Sequence, residues 1–198
     1  MKSRIKEAAG LIRKGRLVAF PTETVYGLGA DATSGAALER LRAVKGREAD
    51  RGLSVLVAEV ADLERFAPGL PARARRLAER FWPGPLTLVV RAFDARLGAV
   101  ATRRGVGFRC SSHATAAALA RACGRPIVST SCNRSGAEPC RTAAEVETVF
   151  GAELAVAVGD DSGGALPSTV VAIAADAGLE LLREGAVPFD RIDEEYEA

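Results

Sequence analysis

Residues 17–47 read LVAFPTETVYGLGADATSGAALERLRAVKGR, and this stretch decides the fold. Leu17 to Phe20 is a short apolar run of strand length. The Pro-Thr-Glu-Thr segment that follows, with Gly27 and Gly29, reads as a loop whose glycines serve backbone geometry. Ser34 stands where a helix N-cap belongs, and Leu38, Leu41 and Val44 recur at helical spacing, carrying Lys45, Gly46 and Arg47 to the C-terminal end. Gly27-Leu-Gly29-Ala-Asp-Ala32 imitates the G-x-G-x-x-A dinucleotide fingerprint. That motif joins a strand directly to its helix, whereas here Pro21 to Tyr26 intervene and nothing downstream reads as a ribose-binding strand end, so a turn is the reading kept.

The same pattern continues outward. Residues 3–14 place Ile5, Ala8, Ala9, Leu11 and Ile12 on one helical stripe that stops at Gly15. Strands are expected at Leu53–Val57, Leu86–Arg91, Val106–Arg109, Pro126–Ser129, Leu154–Val158, Ser168–Ile173 and Leu179–Arg183, the last pair as a hairpin. Helices are expected over Pro71–Trp82, over His113–Ala122 and after a cap near Thr142. Alternating helices and strands predict an α/β (α+β) domain built on a twisted mixed sheet flanked by helices. At 198 residues the chain has room for one domain, expected over residues 1–190. Residues 191–198 read as an acidic C-terminal tail, frayed from Asp193 to Ala198.

With 48% hydrophobic and 26% charged residues the composition is that of a globular protein. The apolar runs are far shorter than the roughly 20 residues of a bilayer span. Glu7, Arg13, Lys14 and Arg16 interrupt the N-terminal segment, so no export signal is expected and a cytoplasmic location is. Four cysteines without a CxxC pair, beside a single histidine, read as reduced thiols and not as a metal site. The net charge of +2 hides a polarity: residues 1–141 hold 25 Lys+Arg against 12 Asp+Glu, and residues 142–198 hold 2 against 13. The basic part favours an anionic partner such as a nucleotide or RNA, and the acidic end covers or balances it.

Asp161-Ser-Gly-Gly164 resembles the surroundings of a serine-protease nucleophile, but the only histidine, His113, comes too shortly before it for such a fold, and a loop is the better reading. His113 itself reads as structural or capping, and Trp82-Pro-Gly-Pro85 as a turn over a buried indole. Tyr26 is equally suited to the core and to a pocket wall. More telling are the Ser, Thr, Asn, Lys and Arg residues at strand ends: Thr22, Thr24, Lys45, Arg47, Arg51, Arg109, Ser129, Ser131, Asn133, Ser168 and Arg183. Strand-end loops are where α/β folds place ligands. Cationic clamps with hydroxyls suit a nucleotide or other phosphorylated ligand, and with neither a P-loop nor a kinase signature, any use of ATP is of another kind.

Taken in order, these loops resemble the YrdC/TsaC family of threonylcarbamoyl-AMP synthases. The matching segments are Phe20-Pro-Thr-Glu-Thr-Val-Tyr-Gly-Leu-Gly29, Lys45-Gly-Arg47, Trp82-Pro-Gly-Pro-Leu-Thr87, Val106-Gly-Phe-Arg109 with His113, Ser129-Thr-Ser-Cys-Asn-Arg-Ser-Gly136, Pro139-Cys-Arg-Thr142, Pro167-Ser-Thr-Val170 and Leu182-Arg-Glu-Gly185. The resemblance implies one α/β domain of the short bacterial type with a basic concave face. It implies a nucleotidyltransferase reaction in which L-threonine, bicarbonate or CO2, and ATP give threonylcarbamoyl-adenylate and pyrophosphate. A partner transferase complex would pass the threonylcarbamoyl group to tRNA, giving threonylcarbamoyladenosine.

By position, the resemblance gives Lys45 and Arg47 the catalytic phosphate-binding role, with Arg51, Ser131, Asn133 and Arg183 completing the ATP site. Thr22, Thr24, Arg109, Ser129 and Ser168 would hold threonine, Arg109 pairing its carboxylate. Mg2+ would arrive with the phosphates, with no protein metal ligands. The pattern departs in several places: Glu48 stands where Pro is frequent and would weaken a phosphate clamp, Arg51-Gly-Leu53 and Leu56 replace the Asn-Pro-Leu and His of longer relatives as in the short bacterial branch, Cys132 replaces Ala and becomes a target for thiol reagents, and Ser111-Ser112 replaces Pro-Asp or Thr-Asp. The rival readings are an RNA-binding or ribosome-maturation factor that uses the basic face without turnover, and a carbamoyl-transfer domain of the kind found in larger polypeptides.

Overall fold

The computed structural model describes residues 2–46, 53–91, 93–159, 164, 166–174 and 178–198. Helix α1 (Lys2–Arg13) forms on the predicted stripe, with Ile5, Ala8, Ala9 and Ile12 buried. Then come β1 (Val18–Phe20), β2 (Gly27–Asp31), α2 (Gly35–Lys45), β3 (Ser54–Val57), α3 (Asp62–Phe66), α4 (Ala72–Phe81), β4 (Leu86–Val90) and β5 (Val106–Cys110). The chain continues through α5 (Ala114–Cys123), β6 (Ile127–Ser131), α6 (Ala143–Phe150), β7 (Val156–Ala157), β8 (Thr169–Ile173), β9 (Leu179–Arg183) and α7 (Phe189–Glu197). Ser34 and Thr142 cap α2 and α6 as their positions predict, each accepting a backbone N–H of the first turn.

The described strands form one sheet in the order β7-β1-β2-β6-β3-β5-β4-β8-β9. The pairs β1/β7, β3/β5 and β4/β8 are parallel and the others antiparallel, so the sheet is mixed as expected. Strand alternation divides the core. Val55 and Val57, Leu86, Leu88 and Val90, and Val106 and Phe108 face the larger cluster under α2, α4 and α7. Phe20, Leu56 and Ile127 face the other side, under α1 and α5.

Two expectations are corrected. Gly27 and Gly29 lie in strand β2, not in a loop, paired with β1 and β6. They are glycines because Phe20 lies on them: a Cβ on Gly29 would sit 2.7 Å from the Phe20 ring and one on Gly27 3.0 Å from it. The C-terminus is not a frayed tail. Ile192 and Tyr196, one helical turn apart, are fully buried, and the acidic residues of α7 meet the arginines of α4 through Arg80–Glu195 at 3.4 Å and Arg73–Glu197 at 3.6 Å. Arg73 also stacks on the Tyr196 ring at 5.3 Å. Among the described residues no helix is long and apolar enough to cross a membrane.

Candidate functional site

The second face of the sheet is only partly covered. Register marks the boundary: Leu56 pairs with Ile127 beneath α1 and α5, while one pleat further along Ser54 pairs with Ser129. Polar and small side chains continue this second row across the sheet, with Gly107 beside Ser54 on β5 and Thr87 and Val89 on β4. There the sheet floors an open cavity of about 960 Å³, walled by the loop at 22–26, the turn at 102–105 and the start of β8. Gly105 makes that turn with φ +118°, and a Cβ there would lie 2.1 Å from the Val90 carbonyl oxygen, so only glycine fits.

The cavity gathers Thr22, Thr24, Arg109, Ser129, Ser131, Ser168 and Arg183, seven of the residues singled out from the sequence. Arg109 pairs in register with Leu56, at the edge of the covered half, which accounts for its burial. Its Nη2 donates to Thr24 Oγ1 at 2.8 Å, and that hydroxyl lies 2.9 Å from Thr22 Oγ1. Arg183 donates from Nε and Nη2 to the Ser168 carbonyl at 3.2 and 2.9 Å, and Ser168 Oγ lies 2.9 Å from Thr87 Oγ1. Burial, and then the charge of Arg109, push the Arg183 guanidinium below its ordinary value. Two cations held close in a desolvated wall favour an anion between them.

Lys45 and Asn133 stand behind this surface and do not line the cavity. Lys45 Nζ donates to the Ser131 carbonyl, and to the carbonyl and Oδ1 of Asn133 at 3.0 Å each. Ser131 Oγ donates to Asn133 Oδ1 at 2.6 Å, and Asn133 Nδ2 to the Ala137 carbonyl at 2.7 Å. The lysine thus ties the end of α2 to the Ser-x-Asn loop. Arg47, Glu48 and Arg51, with most of Asp161-Ser-Gly-Gly164, lie outside the described residues.

Sequence reasoning missed several members. Arg103 and Arg104 line the cavity from the turn before β5, and Arg104 is anchored by Glu180 at 2.6 and 2.9 Å. Glu23 pairs with Arg109 from within the Pro-Thr-Glu-Thr segment, where its neighbours drew the attention. Ser111, one of the departures from the family pattern, donates to that glutamate. Four of the described residues lining the cavity are arginines and none is Asp or Glu, so its field is cationic.

His113 is the N-cap of α5, Nδ1 accepting the Thr115 N–H at 3.2 Å, and the Trp82 indole is buried with Nε1 donating to the Leu86 carbonyl at 2.7 Å. Tyr26 serves both readings: it is fully buried, its hydroxyl donates toward Gly159 at 3.2 Å, and it borders the cavity. The expectation for Cys132 is corrected. Its thiol is fully buried, and burial, then the neighbouring Cys140, push it far above the usual thiol range, so it is a poor nucleophile. Among the described residues no cluster of three His, Cys, Asp or Glu could hold a metal.

An open half-sheet walled by arginines and hydroxyls defines a class of α/β domain, one with a polar, cationic cavity on an exposed sheet face. More particularly, the chain belongs to the Sua5/YciO/YrdC family, whose model, described as "Telomere recombination", matches residues 10–185. It is 39% identical over 199 residues to a threonylcarbamoyl-AMP synthase of Pyrococcus abyssi, covering 96% of this chain and 56% of that protein. Identity to the threonylcarbamoyl-AMP synthase of Thiobacillus denitrificans is 40% over 165 residues, covering 82% and 87% respectively. The crystal structure of P. abyssi Sua5 complexed with L-threonine has a TM-score of 0.89 at 37% identity, over 98% of this chain and 58% of that one. Escherichia coli YciO, at 22% identity, shares the fold with a TM-score of 0.87 over 97% of this chain and 94% of that one. The chain therefore spans a little over half of the archaeal relative and most of the Thiobacillus one.

Proposed function

We propose that this protein is a threonylcarbamoyl-AMP synthase, a nucleotidyltransferase that joins L-threonine, bicarbonate or CO2, and ATP into threonylcarbamoyl-adenylate and pyrophosphate. The observation that carries the reading is the cavity whose described lining holds four arginines and no carboxylate, in a chain about 40% identical to a synthase of which it covers 87%.

The chemistry asks for what these residues supply. Threonine's amine adds to CO2, losing a proton as the N–C bond of a carbamate forms. A carbamate oxygen then attacks the α-phosphorus, and pyrophosphate leaves. Both steps depend on alignment and on stabilising negative charge. Arg109 takes the threonine carboxylate, with Thr22, Thr24, Ser129 and Ser168 around the rest of the amino acid. Ser131 and Arg183 take the nucleotide at the cavity wall, Asn133 and Lys45 brace the Ser-x-Asn loop behind it with Lys45 supplying positive charge, and Arg47 and Arg51 bind the phosphates. Mg2+ would enter on the phosphates, since the described lining offers it no carboxylate. The adenylate would pass to a transferase acting on tRNA in the cytoplasm, with RNA contact through the basic face.

The test is pyrophosphate release from ATP and Mg2+ in bicarbonate buffer, with L-threonine, L-serine, L-alanine or no amino acid. Release that depends on threonine is expected. None from folded protein under any condition would overturn the reading in favour of RNA binding without turnover.

A further inference from the structure

Glu23 stands between the two threonines of the cavity wall, yet it does not line the cavity. Its carboxylate lies against Arg109, with both side chains largely buried. Oε1 is 3.0 Å from Arg109 Nη2, but the contact lacks hydrogen-bond alignment, so it is Coulombic. Oε2 accepts from the Ser111 hydroxyl, and Ser111 Oγ in turn accepts the His113 N–H at 3.2 Å. The opposite side of the loop is pinned too: the Gly164 N–H donates to the Thr24 carbonyl at 2.9 Å, and a Cβ on Gly164 would fall 2.4 Å from the Glu23 carbonyl oxygen.

Arg109 is therefore gripped through Nη2 alone, by Thr24 and Glu23, while its buried Nε has no partner among the described residues. A free arginine side chain carries rotamer entropy that a ligand must overcome on binding. Held at one nitrogen against a fixed carboxylate, the guanidinium meets its ligand already ordered.

We propose that Glu23, steadied by Ser111, is a positioning residue for Arg109 and thereby sets the affinity of the site for an amino-acid carboxylate. This rests on the reading of Arg109 as the partner of the threonine carboxylate. The experiment compares Glu23→Ala, Glu23→Gln and Ser111→Ala with the unaltered protein in threonine-dependent and ATP-dependent pyrophosphate release, with thermal unfolding alongside. Glu23→Ala should raise the KM for threonine about threefold or more through lost preorganisation, less than removal of Arg109 itself, and shift that for ATP less than about twofold. Glu23→Gln, which keeps the shape and loses the charge, should recover part of the loss. Ser111→Ala should act in the same direction more weakly. An unchanged threonine KM in Glu23→Ala overturns the proposal, as does an equal rise for both substrates with a fall in the unfolding midpoint.

Modification of Arg109 by phenylglyoxal, followed by peptide mapping, needs no turnover. Faster modification in Glu23→Ala is expected, and equal rates overturn the positioning claim. If the unaltered protein releases no pyrophosphate with threonine, the synthase reading fails, and this arm still decides what Glu23 does.

Discussion

Phe20 and Gly29 show how far one contact reaches. The ring covers the β2 backbone so closely that a single methyl on Gly29 would stand 2.7 Å from a ring carbon, and Phe20 is itself fully buried among the side chains under α1 and α5. Gly29→Ala should therefore cost about 1–3 kcal/mol by overpacking, read as a lower urea midpoint at unchanged slope. An unaltered midpoint would mean that the ring moves aside freely. Nothing in the sequence separates such a glycine from a turn glycine, because propensity favours the turn and the reason for the strand is a neighbour seven or more residues away. The sequence reads Lys45 as a phosphate-binding cation beside Arg47. That its first partners are the carbonyls of residues 131 and 133 depends on a contact 86 positions distant, beyond any local pattern.

Among the elements, strands with regular alternation and helices with clear caps lay where the sequence put them, and the errors have physical causes. The terminal helix α7 is acidic enough to read as a solvated tail. Its signal was the pair Ile192 and Tyr196 at helical spacing, and the acids around them are matched by arginines on α4. A second charge couples elements at the end of β2. Asp31 is buried and accepts from Arg125 Nη1 at 2.7 Å and from the Thr33 hydroxyl at 2.7 Å, tying β2 to the turn between α5 and β6. Burial alone would raise its carboxyl, but the bonds from Arg125 and Thr33 outweigh it and hold the group below its usual 3.8. The folded state thus binds that proton more weakly than the unfolded chain, so the stabilisation is complete above the ordinary carboxylate value and disappears as pH falls through the lowered one. Asp31→Asn should lose on the order of 1 kcal/mol at pH 7, discounted for the half-exposed Arg125. The gap between variant and unaltered protein should close toward pH 3 in urea unfolding, and a gap independent of pH would contradict the account.

At the scale of the molecule, the charge polarity of the sequence becomes a division between the faces of the sheet. The acids of α7 lie over the larger core and meet α4 there, while the cavity opens on the other face with four arginines and no carboxylate among the described residues that line it. The acids of α7 accordingly balance helix α4, while among the described residues at the cavity only Arg104 and Arg109 are paired with carboxylates, those of Glu180 and Glu23. Composition pointed to an anionic ligand, and the order of motifs made the family legible. The convergence of Arg109, Arg183 and Ser168 comes from the joining of β8 to β4 and β9, which a single sequence does not display. The proposed synthase function requires Arg109 to recognise the threonine carboxylate. The most direct test is the substrate dependence of pyrophosphate release by Arg109→Ala: the KM for threonine should rise at least about tenfold with that for ATP little changed. A threonine dependence equal to that of the unaltered protein would contradict the assignment of this cavity.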